Sequence, residues 1–286
     1  MKRSRLSLIG LAAVGALALS ACAGGGETET SVEPEEAPSF EAGTTMAELA
    51  DSGTITIGTK FDQPLFGLSG PNGPEGFDVE IGKIIAAELG IAAEDINWVE
   101  AVSANREPFI ENGEVDVVIA TYTINDTRKE VVSFAGPYYM AGQSILTLAD
   151  NEDIESEEDL VGQPVCSVTG STPAANLEEL GAEVLLTDTY SNCLEPLRSG
   201  AVVAVSTDNV ILAGLAAQNE GEFKVVGEPF TDEPYGIGLA LDDTEFRMWI
   251  NDVLEAAYED GRYEDAWDAT AGTILPFVDP PAVDRY

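Results

Sequence analysis

Short unbroken apolar runs alternate with segments whose apolar residues recur every three or four positions. TITIG (54–58), INWVE (96–100) and VDVVIA (115–120) read as strands. Between them, DVEIGKIIAAEL (78–89) carries Val79, Ile81, Ile84, Ile85 and Leu89 at helical spacing and closes at Gly90. A short helix is predicted over 105–112, with Ser103 as its cap and Gly113 as its stop. Strand–helix repeats with continuously apolar strands predict a parallel sheet covered on both faces. A second series follows QSILTL (143–148): PVCSV (164–168), a helix from Thr172, EVLL (183–186), a helix through Cys193 to Arg198, VVAVS (202–206), a helix over 209–218, and FKVV (223–226). YGIGLAL (235–241) is another apolar strand, and helices over 245–259 and 263–269 close the chain. Two series joined by two apolar crossover strands predict an α/β fold of two lobes around a cleft. Lobe 1 is expected at 46–142 plus 236–286 and lobe 2 at 143–235.

The N-terminal pattern differs. Lys2, Arg3 and Arg5 precede an apolar stretch over 6–19, too short to favour a membrane span, and Leu19-Ser20-Ala21-Cys22 resembles a bacterial lipobox. That resemblance implies a signal peptide over 1–21 and an acylated Cys22; an ordinary signal peptide with an incidental cysteine is the alternative. Residues 23–44 are rich in Gly, Pro, Glu and Thr, so 22–45 is expected to be the acylated cysteine and a flexible linker. Export to an oxidising compartment makes Cys166 and Cys193 candidates for a disulfide, against the alternative of two free buried thiols.

Charge narrows the function. Lys and Arg number 13 against 52 Asp and Glu, a formal net charge of −39. Nucleic acid needs a basic footprint, and an anionic membrane surface repels such a domain. There is no histidine, which removes the commonest general base and metal ligand. No metal, cofactor or catalytic residue is expected, and a monomer is.

The scarce cations are not scattered. Lys60 follows TITIG, Arg106 opens the helix after INWVE, and Thr121, Thr123 and Arg128 follow VDVVIA. Gly170, Ser171 and Thr172 follow PVCSV, and Asp208 follows VVAVS. All lie past the carboxyl end of a strand, where open parallel sheets bind ligands. Arg128 can make a bidentate fork with a carboxylate, with Thr123 adding a hydroxyl. The turn at Ser171 and Thr172 offers backbone N–H groups at a helix start. Asp208 and the Thr121 carbonyl can accept from an ammonium. This set describes an α-amino acid, and Lys60 and Arg106 are surplus cations that suit a second carboxylate. Each residue alone has a plainer role: Asp208 and Ser171 as helix caps, Lys60 and Arg106 as solvated partners of abundant acids.

Thr121-Tyr122-Thr123…Arg128, with Val132-Ser133-Phe134-Ala135-Gly136-Pro137-Tyr138 after it, resembles the polar amino-acid-binding proteins of ABC importers, solute-binding protein family 3. The resemblance runs from about 46 to 270. GTKFDQP (58–64), ENGEVD (111–116), GSTPA (170–174) and DEPYGIGL (232–239) are similar to glutamate-binding lipoproteins of actinobacteria. It implies a type II periplasmic-binding-protein-like fold, each lobe a mostly parallel sheet flanked by helices. It implies Arg128 on the α-carboxylate, assisted by Thr123, Ser171 and Thr172. The ammonium would fall to Asp208 and the Thr121 carbonyl, and the distal carboxylate to Lys60 and Arg106. Phe61 or Phe66 would pack on the ligand, while the second aromatic position of the family falls near Ser103. The expected function is a lipid-anchored protein on the extracellular face of the cell membrane that passes glutamate to an ABC permease. The alternatives are a dehydratase- or lyase-like enzyme on the same fold, or a sensor lipoprotein without transport.

Overall fold

The computed structural model describes residues 32–286. Cys22 and the signal-peptide reading lie outside the described residues. In chain order the elements begin with α1 (Thr45–Ser52), β1 (Ile55–Thr59), β2 (Asp62–Gln63), β3 (Gly67–Gly70), β4 (Gly73–Glu75), α2 (Phe77–Glu88) and β5 (Ile96–Glu100). They continue with α3 (Arg106–Glu111), β6 (Val117–Val118), α4 (Asp126–Lys129), β7 (Val132–Ala141), β8 (Gln143–Leu148), β9 (Pro164–Val168) and α5 (Thr172–Leu180). The last are β10 (Glu183–Thr187), α6 (Leu194–Arg198), β11 (Ala204–Asp208), α7 (Asn209–Gln218), β12 (Phe223–Val226), β13 (Glu233–Ala240), α8 (Thr244–Asp260) and α9 (Arg262–Ala269).

Two five-stranded sheets carry two lobes, in the orders β5-β1-β6-β13-β7 and β10-β9-β11-β8-β12. Strands from the βα units pair in parallel, as β1 does with β5 and β6 and β9 with β10 and β11. The crossover strands join antiparallel: β13 on β6 and β7, β8 on β11 and β12. Each sheet is therefore half parallel rather than mostly parallel. The crossover strands enter directly from the opposite lobe, without the intervening helix that turns successive strands parallel. The chain passes between the sheets at Gly142 and again between β12 and β13.

Three local readings differ from the pattern. Of VDVVIA, Val117–Val118 form the strand, and beside it the Asp116 carboxylate accepts from the Thr56 N–H at 2.7 Å. β7 is ten residues long, though its small and aromatic residues hide a strand period, and it is read only through its pairing with β13. β10 is an edge strand with Leu185 and Leu186 exposed.

The described part of the expected linker lies along the first lobe. The Phe40 ring meets Trp249 edge-on at 5.8 Å, Val32 and Phe40 pack against the core, and the Glu35 N–H donates to the Ala87 carbonyl at 2.8 Å. Two well-placed apolar side chains are enough to dock a segment whose composition reads as unfolded. Cys166 and Cys193 form a disulfide with Cα atoms 5.6 Å apart, tying β9 to the turn Tyr190–Cys193 that precedes α6. Among the described residues no helix is long and apolar enough to cross a membrane, and no group of three acidic, Cys or His residues could hold a metal ion.

Candidate functional site

The carboxyl ends of β1, β5, β6, β9 and β11 face one cleft, closed in this structure. A pocket there is lined by Arg106, Thr121 and Thr123 from the first lobe and by Ser171, Thr172 and Asp208 from the second. Ser103, Pro173, Tyr190 and Ile211 complete the wall. Space not filled by atoms there, open solvent included, is about 200 Å³.

The first lobe builds its share on a strained turn. Thr121 has φ +44°, a genuine outlier for a β-branched residue, worth about 1–3 kcal/mol of strain. Asp78, at the start of α2, holds the turn: its carboxylate accepts from the Thr121 N–H at 2.8 Å and from the Tyr138 hydroxyl at 2.6 Å. The Thr121 hydroxyl donates to Gln63 at 2.9 Å. The turn aims two carbonyls at Arg106, whose Nη1 donates to Ala120 at 3.1 Å and to Thr121 at 3.2 Å, while its Nε donates to the Ser103 carbonyl at 3.3 Å. Burial raises the Asp78 carboxyl to about 7.

Arg128 and Lys60 stand one layer behind the pocket wall. Arg128 donates from Nη1 to the Thr123 carbonyl at 2.7 Å, from Nη2 to the Gly170 carbonyl of the second lobe at 3.0 Å, and pairs through Nε with Glu107 at 3.1 Å. Burial, then Arg106, lower it to about 10, still charged at neutral pH. The guanidinium carbons of Arg106 and Arg128 lie 4.3 and 5.1 Å from the centre of the Tyr122 ring, whose face attracts both. The Lys60 ammonium donates to Ser103 Oγ at 2.9 Å. Burial, then Arg106, lower its pKa to about 7. Ser103 does not cap α3, whose flanking residue is Asn105; its hydroxyl serves Lys60.

In the second lobe, Ser171 caps α5: its Oγ accepts from the Ala174 N–H at 3.1 Å and donates to Val168 at 2.7 Å. Thr172 reaches across the cleft, its hydroxyl 2.7 Å from Glu233 and 3.3 Å from that of Thr123. Asp208 stands at the cap position of α7 but makes no capping bond. Its Oδ2 accepts from Tyr235 at 2.6 Å, and its Oδ1 is buried with no hydrogen-bond partner in the described structure. Burial, then the neighbouring Glu233, raise Asp208 to about 7.

The expected aromatic packing takes another form. Phe66 is fully buried in the first-lobe core, edge-on to Phe77, Tyr139, Tyr235 and Trp267, and does not reach the pocket. Phe61 does not line it either. The aromatic in the wall is Tyr190, brought there by the turn that the disulfide pins. No spacing in the sequence marks Tyr190. Glu233 and Asp78 carry a faint signal, as charges set directly against apolar runs in DEPYGIGL and FDVEI.

Comparison with known proteins finds relatives of the whole folded body. The bacterial extracellular solute-binding proteins, family 3, match residues 55–268. A glutamate-binding protein GluB of Corynebacterium efficiens is 45% identical over 237 residues, 78% of this chain and 81% of that protein. The ABC transporter glutamine-binding protein GlnH of Bacillus subtilis is 37% identical over 268 residues, 92% of this chain and 94% of that protein. Among solved structures, an ancestral arginine-binding protein bound to glutamine superposes with a TM-score of 0.71 at 36% identity, covering 76% of this chain and 96% of that one.

Proposed function

The chain belongs to the bacterial extracellular solute-binding proteins, family 3, and on that premise we propose that it captures glutamate between its lobes outside the cell and delivers it to an ABC permease. The observation that carries this reading is Asp208, which lines the pocket and whose Oδ1 is buried with no hydrogen-bond partner in the described structure. A buried acceptor with nothing to accept from is costly unless a ligand supplies a donor. An α-ammonium does so with a compensating charge.

Arg128 is the clamp for the α-carboxylate, with Thr123, Ser171 and Thr172 beside it. Its Nη2 donates to the Gly170 carbonyl of the opposite lobe, and each Nη carries a second N–H for the ligand carboxylate. The Thr121 carbonyl, which already accepts from Arg106, has a second lone pair for the ammonium. Arg106 in the wall, with Lys60 behind Ser103, supplies positive charge for the distal carboxylate. Tyr190 takes the packing role first assigned to Phe61 or Phe66.

The moving bodies are 46–142 with 236–286, and 143–235, hinged at the two passages between the sheets. Cys22 carries a lipid anchor that holds the protein at the outer face of the membrane, as a monomer and without catalytic activity. Calorimetry with the twenty amino acids tests the reading. Glutamate should bind, with glutamine weaker by roughly tenfold to a hundredfold, because glutamine leaves buried cations without an anion. Equal binding of neutral amino acids, or binding of none, overturns it. Recovery of unchanged glutamate after long incubation separates capture from turnover.

A further inference from the structure

Among the described residues, two glycines beside the pocket face backbone of the opposite lobe. A Cβ on Gly170 would lie 2.9 Å from the Ala104 Cα. Gly170 has φ +78°, so its conformation alone selects glycine. Gly214 is different. It lies inside α7, without a left-handed φ, where glycine disfavours the helix by about 1 kcal/mol relative to alanine. What it meets is the other lobe: a Cβ there would lie 2.5 Å from the Pro64 carbonyl oxygen and 3.1 Å from the Pro64 carbonyl carbon and Cβ.

Pro64 is flanked by anchored neighbours. It sits in the turn between β2 and β3, next to Gln63, which is buried and bonded to Thr121, and two residues before the core residue Phe66. The Asp62 carboxylate accepts from the Ser191 N–H of the second lobe at 3.3 Å. The turn is thus a finger of the first lobe seated between α7 and the disulfide-pinned turn Tyr190–Cys193. We propose that Gly214 is the notch that admits this finger: a positioning residue that sets how far the lobes close, and through closure the ligand's affinity. Asp208 and Ile211, immediately before and on α7, line the pocket, so a helix pushed off Pro64 carries the ammonium acceptor away from Arg106. The inference rests on capture by closure.

A ligand held from both sides stabilises the closed form only through contacts the open form lacks. Obstructing closure therefore leaves first contact intact and speeds release. The test uses the full mature protein with Gly214→Ala and Gly214→Val, glutamate calorimetry, stopped-flow binding, solution scattering and melting without amino acid. Affinity should fall at least about tenfold in Gly214→Ala, nearly all of it as faster dissociation. Gly214→Val should compact less than wild type at saturating glutamate. Gly214→Ala without amino acid should melt at the wild-type temperature or above, since alanine favours the helix and the open form has room for it. An affinity loss matched by a lower melting temperature would mean Gly214 merely packs within its own lobe, and the inference falls. Unchanged affinity and full compaction in both variants also overturn it. A wild type that does not respond to glutamate sinks the capture reading and this inference together; a responding wild type with unaffected variants sinks the inference alone.

Discussion

Asp208→Asn isolates one charge at constant shape. The side chain keeps its volume and can still accept from the Tyr235 hydroxyl, now 2.6 Å from Oδ2. What is lost is the anion behind Oδ1, which leaves a bound ammonium without a charge partner in a closed cleft. Removing one member of such a pair costs about 2–5 kcal/mol, so glutamate affinity should fall at least roughly thirtyfold. The pH dependence sharpens the test. Burial raises Asp208 from its ordinary 3.8 to about 7 in the folded protein. Binding needs the ionised form, so wild-type affinity should fall by about tenfold per unit as pH drops below 7, a limb that Asp208→Asn should lack. Stability moves the opposite way. The folded state holds this proton more tightly than the unfolded chain. Its contribution to stability is fully present below pH 3.8 and is lost as pH rises to about 7. The amide never ionises, so the variant without amino acid should melt higher than wild type at pH 8, by an amount on the order of a few kcal/mol or less. Calorimetry at pH 6 and pH 8 and melting curves at pH 8 read all three effects. Affinity within about threefold of wild type at pH 8 would refute the ammonium assignment and leave Asp208 as a helix-start residue.

Arg128→Ala removes the carboxylate fork together with the Gly170 contact, so affinity should drop at least roughly thirtyfold while circular dichroism without ligand stays that of the folded protein; near-normal binding would sink the clamp. Arg106→Gln should bring the glutamate and glutamine affinities together, because an amide needs no anion; an unchanged ratio in competition titrations would mean Arg106 serves only the Ala120 and Thr121 carbonyls. Phe40→Ala should lower the melting temperature through lost burial against Trp249, about 1–3 kcal/mol for a partly exposed aromatic, and leave glutamate affinity unchanged; an unaltered melting temperature would mean the segment contributes nothing to the first lobe.

Much of the architecture was written locally. The period of Val79, Ile81, Ile84, Ile85 and Leu89 and the runs INWVE, QSILTL and PVCSV depend only on neighbours in the chain, so elements and their order could be read directly. The βα order then placed Lys60, Arg106, Arg128, Thr172 and Asp208 past strand ends, on one side of each sheet. Long-range pairing decided the rest. β7 became a ten-residue strand because β13 returns from the other lobe to pair with it. Phe66 went to the core because four aromatic rings distant in sequence converge there. Tyr190 entered the pocket because Cys166 holds its turn, and Phe40 docked because Trp249 lies on α8 beneath it. The cations show the division most clearly. Three guanidinium or ammonium groups were legible as a cluster, but Arg106 faces the pocket while Arg128 and Lys60 stand behind it. Composition and period say which residues gather at a strand end; which atom faces the ligand depends on how two lobes meet, and that is set by contacts between residues far apart in the chain.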